Sequence, residues 1–146
     1  MSRDVSPGER QFIAERAYRV CEYCLIHEVD TFWGCQIEHI ISRRHGGTSE
    51  RENLAWACAV CNGLKGTDLG TLAGKPPKLT RLFHPRMDRW ADSFHLHLPW
   101  IEPLTPEGEA TVKHLQFNEE SRRRERLILA EAGRYPTVEA LARMKE

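Results

Sequence analysis

The sequence lacks any long apolar run. None of its 146 residues lies in a stretch of 18 or more apolar residues, so we expect no membrane span. The first ten residues, MSRDVSPGER, also lack the apolar segment of a secretory signal. We therefore expect a cytoplasmic protein whose thiols stay reduced, so its cysteines need an explanation other than structural disulfides.

The chain has no net charge either, because 21 basic and 21 acidic residues balance at pH 7. This balance argues mildly against a nucleic-acid-binding protein. Basic residues nevertheless outnumber acidic ones over residues 41–90, which weakly favours an anionic partner there. The chain has no internal repeat, and its length and composition are typical of a globular protein of about one domain.

Five cysteines are present, and four of them occur in two C-x2-C pairs. Cys21 and Cys24 flank the sequence EY, and Cys58 and Cys61 flank AV. Two such knuckles can bring four thiolates together, and a tetrahedral site of four cysteines is typical of structural Zn²⁺. A disulfide or a set of inert buried thiols is the alternative. Cys35 lies outside the pairs, and we expect it to be a small core residue.

The first half of the chain predicts a helix, two strands and a second helix. The tetrapeptide SPGE at residues 6–9 is a capping box with proline at the first helical position, so a helix should run to about Arg19. Ile13, Ala17 and Val20 should form its buried face. A strand at residues 33–40, a polar loop, a strand at residues 53–57 and a helix of roughly ten residues from Ala59 follow.

We predict an α+β fold in two parts. Residues 1–70 should form a small zinc-stapled core with an N-terminal helix, and residues 71–146 a mostly helical C-terminal extension packed on it. Glycine and proline make residues 67–78 a predicted linker. The extension should contain one strand, at residues 92–98, and two to three helices, the first of them capped by Thr105.

Glu38 and His39 stand side by side inside the apolar run CQIEHIIS. Neighbouring residues of a strand point to opposite faces, so one of the two polar side chains should lie in the core. Burying a carboxylate costs several kcal/mol or more unless it is paired. A pairing partner for Glu38 is therefore expected, and a salt bridge to Arg43 or Arg44 is one way to supply it.

Four separate elements in this region occur in a specific order: IEHI, then GGT, then ENL, then CAVCNGLKG, all framed by the two knuckles. In these elements the chain resembles the HNH endonuclease family, with its ββα-metal fold. The similarity covers Cys21 to Gly66, about a third of the chain. It implies a phosphodiester hydrolase acting on DNA, with a structural zinc and a catalytic divalent cation.

The resemblance implies a role for each matching residue. His39 would be the general base that deprotonates the attacking water, which suits a side chain with a pKa near neutrality. Asn53 would tie the loop and hold the His39 ring. Glu38 and Asn62 would be ligands of the catalytic metal, with Asn62 at a position where many members have histidine. Because both offer oxygen, the expected metal is Mg²⁺ or Mn²⁺.

Basic residues near this motif are candidate substrate contacts. Arg43 and Arg44 would gain phosphate affinity if the site lies beside them, or they could be solubility charges of the loop. Lys65 is as consistent with a solvated helix residue as with a phosphate contact. Arg122, Arg123 and Arg124 fit a solvated helix face.

Two functions from different classes account for these features. The first is a metal-dependent DNA endonuclease, and the second is a catalytically silent, zinc-stapled nucleic-acid-binding module. The presence of Glu38, His39, Asn53 and Asn62 together favours the first, because a binding module does not need all four. A monomer with one such site would nick DNA, whereas paired cuts would need a dimer or two visits.

Overall fold

The computed structural model describes residues 5–146. The chain mixes helices and strands, as the sequence predicts for an α+β fold with a small zinc-stapled core. Over the described residues, no helix is both long enough and apolar enough to cross a membrane.

The first helix, α1 (Pro7–Arg16), begins as the capping box predicts. The Ser6 hydroxyl accepts a hydrogen bond from the Glu9 backbone N–H at 3.1 Å, and Pro7 occupies the first turn. The helix ends before the predicted Arg19, because Tyr18 and Arg19 both adopt positive φ angles and turn the chain into the first knuckle. The predicted inner face is buried nonetheless.

The centre of the molecule is a ββα unit. Strand β1 (Cys35–His39) pairs antiparallel with strand β2 (Leu54–Cys58), with Cys35 opposite Cys58 and His39 opposite Leu54. Helix α2 (Ala59–Lys65) follows β2 directly and ends at Gly66, three residues shorter than the predicted ten. The predicted order of strand, polar loop, strand and helix is therefore present, with the loop joining the ends of β1 and β2.

The extension contains more strand than the sequence predicts. Residues 67–78, predicted as a linker, contribute to a hairpin of β3 (Gly70–Ala73) and β4 (Lys78–Arg81). Gly74, Pro76 and Pro77 form its turn, and Ala73 and Leu82 pack with Ala110 in a small second core. A second hairpin pairs β5 (Phe94–His97) with β6 (Trp100–Pro103), so four strands replace the predicted one. The remaining elements are α3 (Trp90–Ser93), α4 (Pro106–His114), α5 (Glu120–Glu131) and α6 (Val138–Met144).

Side chains of the extension contact the first knuckle directly. The Trp90 indole donates a hydrogen bond to the Tyr23 carbonyl at 2.9 Å, and the Tyr135 hydroxyl donates one to the Cys24 carbonyl at 2.8 Å. The buried aromatic residues of the extension belong to the same apolar cluster as the knuckle residues. The division of the chain after residue 70 stays a prediction.

Candidate metal centre and nuclease pocket

The four paired cysteines meet at one buried point. Their sulfur atoms all lie within 4.8 Å of one another, and none is in a disulfide. The Sγ atoms of Cys24 and Cys58 are 3.8 Å apart, which is about the separation that a tetrahedron with Zn–S bonds of about 2.3 Å requires. The donors and their spacing therefore fit Zn²⁺, and the cluster supports a structural zinc site.

Backbone amides support the two knuckles in the same way. The Cys24 N–H points to Cys21 Sγ and the Cys61 N–H to Cys58 Sγ, each at 3.5 Å, so each pair is held by its own turn. Cys35 lies buried on β1 outside this cluster, and burial raises the pKa of its thiol. A thiol held in its neutral form agrees with the core role predicted for it.

A cavity of about 710 Å³ opens beside the ββα unit. It brings together most of the residues singled out from the sequence, and it adds an arginine from α1. The lining includes Glu38, His39, Asn62, Arg43, Arg44 and Arg10. Three guanidinium groups around one histidine make this pocket suitable for a phosphate group.

His39 is the last residue of β1 and is partly exposed in this pocket. Its Nε2 atom forms a hydrogen bond with the Ser49 hydroxyl at 3.0 Å, and Arg43 donates to the same hydroxyl at 3.1 Å. Ser49 of the loop, rather than the predicted Asn53, thus contacts the imidazole ring. Ser49 therefore links the histidine to one of the pocket arginines.

Asn53 instead fastens the loop that joins the two strands. Its Oδ1 accepts from the Ile41 N–H at 2.9 Å, and its Nδ2 donates to the carbonyls of Ile41 at 2.9 Å and Thr48 at 2.7 Å. Gly47 lies in the same crossing, where an added Cβ would come within 1.7 Å of the Ile41 carbonyl oxygen. The loop can close against β1 only with glycine at this position.

Glu38 has partners inside the protein. Its Oε1 accepts a hydrogen bond from the Tyr23 hydroxyl at 2.6 Å, and its Oε2 lies 2.6 Å from Lys65 Nζ. Burial raises the pKa of Glu38, and the Lys65 charge acts in the opposite direction. The side chain that neutralises Glu38 in the structure is thus Lys65, not Arg43 or Arg44.

The position of Lys65 corrects its predicted role. Its side chain is only 2% exposed, and its ammonium also donates to the Ile40 carbonyl at 2.8 Å. An ammonium enclosed in this way cannot reach a phosphate in the pocket. Lys65 therefore holds Glu38 and the end of β1, and it is not a substrate contact.

Comparison with protein-family models agrees with the geometry. Residues 21–68 match the family described as HNH endonuclease, a span that contains both knuckles and the ββα unit. We call these residues, 21–68, the HNH segment. No curated protein and no solved structure matches the chain. The match indicates a nuclease-type function for the HNH segment, and it covers about a third of the chain.

The HNH segment also offers donors for the catalytic cation that its family implies. Glu38 and Asn62 both line the pocket, and both present oxygen, which Mg²⁺ and Mn²⁺ prefer. The Glu38 Oε2 atom lies 2.6 Å from Lys65 Nζ, and a carboxylate oxygen has lone pairs for more than one partner. Glu38 and Asn62 would therefore be suitable oxygen ligands for a hard divalent cation.

Arg122 lies beside the cysteine cluster of the HNH segment, and the expectation of a solvated arginine face is wrong for this residue. It is 7% exposed and lines a small cavity with Cys58. Burial acts to lower the pKa of Arg122, but the sulfur atoms of Cys24, Cys61 and Cys58 outweigh it and raise the pKa. Arg124, by contrast, is exposed and pairs with Glu120 at 2.7 Å.

Three functional candidates, Arg10, Ser49 and Arg122, were missed by the sequence reasoning. Arg10 reaches the pocket from α1 by stacking on Trp56, with its guanidinium carbon 4.9 Å from the ring centroid. Arg122 reaches the cysteine cluster from α5. Both depend on tertiary packing that has no local sequence signature. Ser49, however, follows the GGT element at once, so its proximity to His39 could have been suspected.

Proposed function

We propose that this protein is a metal-dependent endonuclease that hydrolyses DNA phosphodiester bonds in the pocket of the HNH segment. The observation that carries the proposal is the placement of His39 among Arg10, Arg43 and Arg44 on a cysteine-stapled ββα unit. A polyanion is the substrate class that three clustered guanidinium groups favour.

His39 is the general base in this proposal. An imidazole with a pKa near neutrality can take the proton of a water molecule that attacks the phosphorus atom. The hydrogen bond between Ser49 and His39 Nε2 fixes the ring, and the arginines would hold the phosphate next to it. Asn53 and Gly47 act at a distance, because they set the loop that carries Ser49.

Glu38 and Asn62 would hold the divalent cation at the inner wall of the pocket. When bound, Mg²⁺ or Mn²⁺ supplies positive charge that stabilises the leaving 3′ oxygen. Lys65 holds the Glu38 carboxylate in place, and its charge opposes the rise in the Glu38 pKa that burial causes.

A plasmid-nicking assay with His39→Ala tests the proposal. Cleavage in Mg²⁺ or Mn²⁺ should fall by ~10²–10⁴-fold, the usual contribution of a positioned general base. DNA binding, zinc content and melting temperature should stay near wild type, because the substitution leaves the knuckles intact. His95→Ala, an exposed histidine on β5, is the matched control and should cleave normally.

Two outcomes contradict the proposal. Cleavage by His39→Ala at the wild-type rate is the first, because it would show that His39 is not the base. A wild-type protein that binds DNA but cleaves none of it in either metal is the second contradictory result, and it supports the silent binding module instead.

A further inference from the structure

Two large aromatic side chains stand in solvent next to the pocket. Phe32 and Trp33 are 85% and 77% exposed, and their rings touch edge to face with centroids 4.6 Å apart. Aromatic rings contribute strongly to interfaces when they are covered, so this exposed pair is a candidate contact surface.

The position of the pair relates it to the pocket. Trp33 forms part of the lining that also contains His39 and Arg43, so Trp33 lies at the rim of the nuclease pocket, with Phe32 beside it on the outer side. Gly34 follows with a φ of +73°, which turns the chain from the aromatic pair into β1. The pair is therefore attached to the strand that carries His39.

The charge around the rim selects the type of partner. Arg10, Arg43 and Arg44 line the same cavity as Trp33. Their positive charges favour a phosphate backbone as the partner over a protein surface with few acidic residues. Every nucleobase has a flat face that can stack on an aromatic ring, but it is available only where the base is unpaired or unstacked.

We propose that Phe32 and Trp33 form a stacking platform for an unpaired nucleobase at the rim of the pocket. The preferred substrate is then DNA with a single-stranded or locally unpaired nucleotide near the bond to be cut. The inference rests on the proposed function for the position of the phosphate, but stacking itself is measurable without cleavage.

Binding of the zinc-loaded full chain to fluorescent oligonucleotides, without added Mg²⁺ or Mn²⁺, tests the platform. Single-stranded DNA and a duplex with an unpaired bulge should bind more tightly than a fully paired duplex. Phe32→Ala/Trp33→Ala should weaken binding to the first two by about 10-fold or more and to the duplex by much less. Trp33→Phe should retain most of the affinity, because it keeps an aromatic face.

The matched control is Leu79→Ala, which removes an apolar side chain that is 76% exposed on β4 and does not line this pocket. It should bind all three DNAs as wild type does. Equal loss of affinity for paired and unpaired DNA in the double variant would overturn the platform. So would unchanged DNA binding combined with a shift in sedimentation, since that result identifies the aromatic pair as a contact between two copies of the chain.

Cleavage of the same oligonucleotides in Mn²⁺ separates this inference from the proposed function. If Phe32→Ala/Trp33→Ala selectively loses binding to single-stranded DNA, the platform is supported even when wild type does not cleave. In that case only the nuclease proposal fails. Cleavage by wild type with no preference for unpaired DNA supports the nuclease and overturns the platform.

Discussion

At the residue scale, the buried pair of Glu38 and Lys65 decides how the floor of the pocket is stabilised. A carboxylate and an ammonium, each 2% exposed at the side chain, lie 2.6 Å apart beside the pocket. Removing one member of a buried ion pair is strongly destabilising, because the remaining charge is left unpaired in a low-dielectric environment.

Lys65→Met should therefore lower the free energy of unfolding by about 3–5 kcal/mol. The loss should be larger at pH 8 than at pH 5. Burial already raises the folded-state pKa of Glu38, and without Lys65 it rises further, so the stability lost grows as pH increases above the unfolded-state pKa. Urea unfolding at the two pH values measures both effects.

Two further variants complete the Lys65 experiment. Glu38→Gln/Lys65→Met should recover much of the stability and lose the pH dependence, because no unpaired charge remains. Lys78→Met, an exposed lysine on β4, should change stability little. An equal loss for Lys65→Met at both pH values would contradict the assignment of Lys65 as the partner of Glu38.

At the element scale, an element could be predicted from the sequence where residues within or next to it mark its start or end. The Ser6 cap and Pro7 predict the start of α1, and the pattern around His39 and Asn53 predicts the two central strands. The end of α1 could not be predicted, since nothing local requires Tyr18 and Arg19 to adopt positive φ.

The hairpin β3–β4 shows a different limit. Its turn is rich in glycine and proline, which is typical of a linker as well as of a hairpin turn. What makes it a hairpin is the helix α4 packed against it, through Ala110 on Ala73 and Leu82. Similarly, the sequence places Glu38 and Lys65 in separate elements, and only their pairing shows that the lysine points inward.

Helix α5 contributes to the zinc site through Arg122, which leads to a further prediction. A site of four thiolates around Zn²⁺ carries a net charge of −2, and a buried guanidinium beside it offsets part of that charge. Arg122→Gln should weaken zinc affinity by about 10–100-fold, as loss of an outer-shell partner does. Competition with a chromogenic chelator measures the affinity directly.

Arg124→Gln, two residues along α5, is the control for Arg122 because its side chain is exposed and pairs only with Glu120 among the described residues. Its zinc affinity should equal that of wild type. If both variants lose zinc equally, the effect belongs to the helix and not to the charge near the sulfur atoms.

At the scale of the whole molecule, the zinc site should support the extension as well as the HNH segment. Residues of the knuckles and aromatic residues of the extension share one apolar cluster, and Tyr135 donates to the Cys24 carbonyl. Removing zinc should therefore lower the melting temperature of the entire chain in a single transition, because binding free energy at such a site is folding free energy.

Calorimetry before and after chelation, followed by return of Zn²⁺, measures this coupling. Restored zinc should restore the original transition. A chelated protein in which the extension keeps its own cooperative melt would instead mean that the extension folds independently, and it would contradict the predicted packing of residues 71–146 on the core.

Helix α6 closes the buried cluster around Glu22, which has a consequence for the newly made protein. Arg143 donates to the Glu22 Oε1 at 2.7 Å across 121 positions of sequence, and Arg86 pairs with the same oxygen. At a translation rate of ~5–20 residues per second, Arg143 is synthesised roughly 6–24 s after Glu22. The contacts of Glu22 with Arg86 and Arg143 can therefore form only after almost all of the described residues have been synthesised.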